Sequence, residues 1–97
     1  MTKTKTIQDS KNNKTILLVD DSEDMLEVLR RNLSLKGYKT YSTQNVQAAI
    51  EILNTTEIDL VITDLKMPDV SGMELIKHIR ANFKDVEVLV ITGYPSI

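Results

Sequence analysis

The chain alternates short apolar runs with segments of helical periodicity, and this alternation constrains its fold more than any other feature. Thr15–Val19 is a continuous apolar run, which is typical of a strand buried on both faces. Three more strands and three helices are predicted, the strands at 38–42, 58–63 and 86–91 and the helices at 23–36, 46–53 and 72–83. Strands joined by single helices predict an α/β fold with a parallel sheet.

The first helix has recognisable signals at both ends. Ser22 is a favourable N-cap residue, and Glu23 and Asp24 place negative charge near the positive end of the helix dipole. Gly37 follows the last residues with helical periodicity and is expected to end the helix.

Length and composition exclude several classes of protein. The 97 residues suffice for one domain, and the net charge is −2. The absence of cysteine excludes a disulfide framework, a thiol catalyst and a thiolate metal site. No apolar run approaches the roughly 20 residues that cross a bilayer, and no apolar stretch follows the N-terminal lysines. A soluble, cytoplasmic protein without membrane contact is therefore expected.

Charge divides the chain into two unequal parts. Residues 1–15 contain four lysines and one aspartate, whereas the rest of the chain is acidic. Met1 and Ile7 are the only apolar side chains of the N-terminal stretch, too few to offset its ordering entropy, so we predict a flexible basic leader at 1–13 and a single domain at 14–97. The acidic domain itself is not expected to bind nucleic acid directly.

Polar residues follow three of the predicted strands. Asp20 and Asp21 end the first strand, Asp64 ends the third and Thr92 the fourth. The carboxyl ends of parallel strands share one edge of the sheet, where open α/β folds bind ligands. Carboxylates brought together there repel one another, and a hard cation such as Mg²⁺ would relieve that repulsion.

Each of these signals also has a purely structural interpretation. An acid pair before a helix is commonly an N-cap arrangement, a single aspartate at a strand end is commonly solvated, and Lys66 is by default a surface lysine. Acids and a threonine at the ends of three of the four predicted strands are much harder to explain by chance. The combination therefore favours a functional site.

Three stretches resemble the receiver domain of bacterial two-component response regulators. They are ILLVDDS at 16–22, DLKMPDVSG at 64–72 and VITGY at 90–94. The resemblance covers about residues 14–97, and the Asp-x-x-Met-Pro motif with its following Gly72 is highly specific. It implies a flavodoxin-like, doubly wound parallel sheet with strand order 2-1-3-4, to which the family adds a fifth strand.

The resemblance also implies residue roles. Asp64 resembles the phosphoacceptor, which would take a phosphoryl group from a histidine kinase or a phosphotransfer protein. Asp21 and Asp64 would bind Mg²⁺ directly, Asp20 mainly through water, and the Lys66 backbone carbonyl would complete the protein ligands. Thr92 resembles the switch hydroxyl, through which phosphorylation would change the face that follows the fourth strand.

The family continues past Thr92 with a fourth helix, a fifth strand that ends in a lysine, and a last helix, whereas this sequence ends at Ile97, about where that fourth helix should begin. The sequence therefore resembles a receiver that is incomplete at its C-terminus, with its effector domain outside this chain. The apolar run at 86–91 would then be an edge strand, and such an edge invites self-association.

Two other functions compete with that of a phosphoacceptor, and only the first of them remains open. One is a protein-interaction or dimerisation module that works without phosphorylation, because the family's lysine is missing. The other is a Mg²⁺-dependent aspartyl phosphatase, a class that requires a second aspartate two residues after the nucleophile. Lys66 occupies that position, so the chain is not expected to be an enzyme beyond its own phosphorylation and slow dephosphorylation.

Overall fold

The computed structural model describes residues 14–64 and 72–91. Within these ranges strands and helices alternate along the chain. The elements are β1 (Thr15–Val19), α1 (Glu23–Leu35), β2 (Lys39–Thr43), α2 (Val46–Thr55), β3 (Leu60–Asp64), α3 (Gly72–Asn82) and β4 (Glu87–Ile91). The predicted leader at 1–13, Lys66 and Thr92 lie outside the described residues.

The four strands form one parallel sheet in the order β2-β1-β3-β4. The predicted α/β fold class and strand order are confirmed. This order places β1 and β3 at the centre of the sheet. Between them, Leu17 pairs with Val61 and Val19 pairs with Thr63. This register brings the carboxyl ends of the two central strands to the same level.

Helices cover both faces of the sheet, because β1 alternates its side chains between two apolar clusters. Leu17 and Val19 pack with residues of α2 and α3 on one face, among them Ala49 and Leu75. Ile16 and Leu18 face the other way and pack against Leu26 of α1. All four apolar side chains of β1 are at most 2% exposed, as predicted for a strand buried on both faces.

Local signals set the helix ends. The Ser22 hydroxyl accepts a hydrogen bond from the Met25 N–H at 3.2 Å, which confirms the predicted N-cap of α1. Gly37 has a φ of 94°, a left-handed conformation that glycine adopts at little cost. Asn45 caps α2 in the same way as Ser22, and its side-chain oxygen accepts the Ala48 N–H at 2.7 Å.

Three strands begin one or two residues later than predicted. The Tyr38 N–H donates to the Leu33 carbonyl and so belongs to the end of α1, which leaves β2 to start at Lys39. Ile58 is buried but precedes β3, which starts at Leu60. β4 starts at Glu87, directly after the predicted first residue Val86. Apolar character predicted the burial of Ile58 correctly, but the pairing register decides where each strand begins.

None of the helices in the described ranges is long and apolar enough to cross a membrane.

Candidate functional site

Three carboxylates meet at the carboxyl edge of the sheet. Asp20 directly follows β1, Asp21 is the next residue, and Asp64 is the last residue of β3. One oxygen from each of the three side chains lies within 4.8 Å of the other two. The predicted gathering of Asp20, Asp21 and Asp64 is therefore present in the structure.

The strand register explains why Asp20 and Asp64 lie side by side. Val19 pairs with Thr63 in the parallel ladder, and the residue that follows each of them is an aspartate. The two aspartates are therefore at the same level of the sheet. Asp20 is 4% exposed and Asp64 is 8% exposed, whereas Asp21 is exposed to solvent. The site thus has two buried acids and one acid open to solvent.

Backbone hydrogen bonds fix Asp20 on both sides. Its Oδ1 accepts the Ser22 N–H at 2.8 Å, and its own N–H donates to the Thr43 carbonyl at 3.2 Å. The second bond extends the contact between β1 and β2 beyond the last residue of β1. Asp20 is therefore held between the N-cap residue of α1 and the end of β2.

Burial raises the pKa of the Asp20 carboxyl above its usual range, because a buried charge loses hydration. The hydrogen bond from the Ser22 N–H acts in the opposite direction and lowers this pKa. The negative charges of Asp64 and Asp21, and a side-chain hydrogen bond with Asp21, raise it further. The protein therefore holds the negative charge of Asp20 at an electrostatic cost.

Asp64 ends a buried strand. Thr63, which is 0% exposed, precedes it, and the Thr63 hydroxyl donates to the Asp64 backbone carbonyl at 3.3 Å. Lys66 and Thr92 lie outside the described residues, so the roles predicted for them stay predictions.

The three acids suit a small, hard cation. Mg²⁺ prefers oxygen ligands and is usually held by one or two carboxylates while it keeps several waters. Two buried carboxylates beside an exposed one provide such a donor set and leave solvent access on one side. Residues Asp20, Asp21 and Asp64 could therefore hold Mg²⁺.

The loop between β2 and α2 contains two residues, Gln44 and Asn45, whose roles were not predicted from the sequence. The Gln44 side-chain amide donates to the Asp21 backbone carbonyl at 3.1 Å. Asn45 before the apolar residue Val46 is a recognisable N-cap signal. Gln44 carries no comparable signal, because its partner lies 23 residues away in the chain.

Comparisons with known proteins give a family match over most of the chain. A family model described as the response regulator receiver domain matches residues 16–97. The response regulator MprA of Mycolicibacterium vanbaalenii is 34% identical over 82 residues, and the response regulator protein PilR of Pseudomonas aeruginosa is 37% identical over 81. Both alignments cover 84% of this chain, but only 36% of MprA and 18% of PilR.

Solved structures show the same fold. The response regulator TrrA of Thermotoga maritima, in complex with Mg²⁺ and beryllofluoride, matches with a TM-score of 0.79 and 36% identity. The match covers 84% of this chain and 70% of that one. TrrA in complex with the histidine kinase ThkA matches with a TM-score of 0.78 and 35% identity, covering 84% of this chain and 71% of TrrA.

Proposed function

The chain belongs to the response regulator receiver domain family, and from this premise we propose that Asp64 accepts a phosphoryl group from a phosphohistidine of a histidine kinase. The observation that carries this proposal is the position of Asp64 beside Asp20 and Asp21 at the carboxyl edge of the sheet. Support for a kinase partner comes from TrrA, which was solved in complex with a histidine kinase.

The proposed reaction is a nucleophilic displacement at phosphorus. An Asp64 carboxylate oxygen would form a bond to phosphorus while the bond from phosphorus to the histidine nitrogen breaks. The nitrogen keeps the bonding electrons and takes up a proton, and Asp64 becomes an acyl phosphate. Attack of water on phosphorus would then break the bond to the Asp64 oxygen, release inorganic phosphate and return the free carboxylate.

The acidic site requires a counter-charge for this reaction, because the incoming phosphoryl group is itself negative. Mg²⁺, when bound, would offset charge on the transferring oxygens. Asp21 and Asp64 would provide direct ligands, Asp20 a ligand through water, and Lys66 a backbone carbonyl. TrrA, which was solved in complex with Mg²⁺ and beryllofluoride, supports the choice of Mg²⁺ as the cation.

The consequences of phosphorylation form the second part of the proposal. Thr92 would hydrogen-bond the phosphoryl group and change the face that follows β4. An effector domain outside this chain would respond, since the chain spans less than two-fifths of MprA and PilR. We expect no catalysis beyond self-phosphorylation and slow dephosphorylation, no direct nucleic-acid binding by this domain, and a cytoplasmic location.

A second candidate function is self-association through β4. In the described part of the sheet β4 is an edge strand, and Leu89 and Val90 are 50% and 37% exposed. An edge with exposed apolar side chains favours pairing with another chain. This interaction would not require phosphorylation of Asp64.

Amide NMR spectra can test the primary proposal. Mg²⁺ should shift resonances of Asp20, Asp21 and Asp64, and beryllofluoride, which stands in for a phosphoryl group on aspartate, should shift them again. The Asp64→Asn variant should lose the second response. A wild-type spectrum that is dispersed but unaffected by either addition would contradict the proposal and favour a module that acts without phosphorylation.

A further inference from the structure

We propose that Gln44 is a positioning residue for the metal site, which it serves by holding the backbone of Asp21. This inference rests on the proposed function, because it assigns a task to Gln44 only if Asp21 is a ligand. The relevant contact is the hydrogen bond from the Gln44 side-chain amide to the Asp21 carbonyl, at 3.1 Å.

Asp21 lies where no regular element holds the chain. β1 ends at Val19, and α1 begins at Glu23 after its N-cap residue Ser22. Asp21 is also exposed, unlike its neighbour Asp20. Neither burial nor the sheet ladder therefore fixes the direction of its carboxylate.

Gln44, by contrast, lies between two residues whose positions are fixed by strand pairing and helix capping. Thr43 is the last residue of β2 and pairs with Val19 in the ladder. Asn45 is the N-cap of α2, and its own N–H donates to the Thr43 hydroxyl at 3.3 Å. Because the backbone of Gln44 is held between the end of β2 and the N-cap of α2, its side chain can hold the Asp21 carbonyl at a defined place.

Holding the Asp21 carbonyl restricts the rotation of the peptide between Asp21 and Ser22. This restriction limits the direction of the Cα–Cβ bond of Asp21 and so reduces the range of positions open to its carboxylate. Mg²⁺ requires near-ideal octahedral geometry, so its affinity depends on how well the ligands are oriented. Hydrogen bonds that orient ligands are a general means of tuning metal affinity.

The test compares Gln44→Met with Gln47→Met in the full chain. Methionine matches glutamine in length but cannot donate the hydrogen bond, and Gln47 is an exposed glutamine in the first turn of α2. Calorimetric titration with Mg²⁺ alone should show about two- to fivefold weaker binding for Gln44→Met, less than the roughly 10- to 100-fold typical of partners that bond a ligand side chain directly, because Gln44 holds only the backbone of Asp21. Gln47→Met should bind Mg²⁺ like the wild type.

Two further readouts separate positioning from general damage to the fold. The melting temperature of metal-free Gln44→Met should fall by no more than about 4–8 °C relative to Gln47→Met, the change expected for the loss of one hydrogen bond. Only Gln44→Met should shift the ¹⁵N resonance of Ser22, whose amide shares the peptide with the Asp21 carbonyl. Equal Mg²⁺ affinity in wild type and Gln44→Met would overturn the role of Gln44 and leave the proposed function intact. A wild-type chain that does not bind Mg²⁺ would overturn both.

Discussion

Asp20 and Asp64 belong to different strands, yet the pairing of Val19 with Thr63 makes them neighbours at the edge of the sheet. Both are buried, and their carboxylate oxygens lie within 4.8 Å of each other and of Asp21. Two buried like charges at this distance destabilise the metal-free fold. A cation bound between the carboxylates would relieve this electrostatic cost.

The first prediction concerns this electrostatic cost. Asp20→Asn should raise the free energy of unfolding of the metal-free protein at pH 7 by about 0.5–2 kcal/mol, a common gain from relieving unfavourable charge. The asparagine Oδ1 can still accept the Ser22 N–H, so the hydrogen bond is kept. Urea denaturation measures the difference, with exposed Asp85→Asn as the control.

The pH dependence of the same variant gives the sign of the effect. Because the pKa of Asp20 is raised in the folded protein, the fold binds this proton more tightly than the unfolded chain does. The contribution of Asp20 to stability is thus fully present below its unfolded pKa and is lost as pH rises through the folded pKa. The advantage of Asp20→Asn should vanish at acidic pH, and an advantage independent of pH would contradict this explanation.

The second prediction concerns stabilisation by Mg²⁺. A cation that binds only the folded state should add about 2.7 kcal/mol of stability at a concentration a hundred times its Kd. Thermal unfolding with increasing MgCl₂ measures this gain, and NaCl at the same ionic strength is the control. Asp21→Asn, which removes a proposed ligand, should lose most of the response. Equal stabilisation by the two salts would argue against a specific site.

The third prediction concerns β4. Leu89→Lys places a charge on a half-exposed position of the edge strand and should prevent self-association. Sedimentation velocity should show wild-type chains that associate as concentration rises and Leu89→Lys chains that stay monomeric. Lys84→Ala, outside β4, should behave like the wild type. A sharp wild-type monomer at high concentration would contradict this prediction.

The sequence predicted the elements and the acid cluster because both depend on strong local signals. The apolar run of β1, the N-cap Ser22 and the aspartates at strand ends each carry their meaning in a few adjacent residues. The topology of a parallel sheet then brings Asp20 and Asp64 together.

Features that depend on contacts between distant residues could not be predicted in this way. The start of β2 was placed at Tyr38 instead of Lys39, because only the structure shows that the Tyr38 N–H closes the end of α1. The bond from Gln44 to Asp21 was missed, since nothing near Gln44 in the sequence indicates its partner. The roles of Lys66 and Thr92 rest on the family resemblance, as both lie outside the described residues.

The most direct test of the central claim is to locate a transferred phosphoryl group. The chain is incubated with Mg²⁺ and phosphoramidate, a donor with the phosphorus–nitrogen bond of phosphohistidine, and the product is mapped by mass spectrometry. We predict one hydroxylamine-sensitive phosphoryl group on Asp64 in the wild type and in Asp85→Asn, and at least about a hundredfold less in Asp64→Asn, which lacks the nucleophile. Equal labelling of Asp64→Asn, or a wild-type chain that takes up no phosphoryl group, would contradict the account.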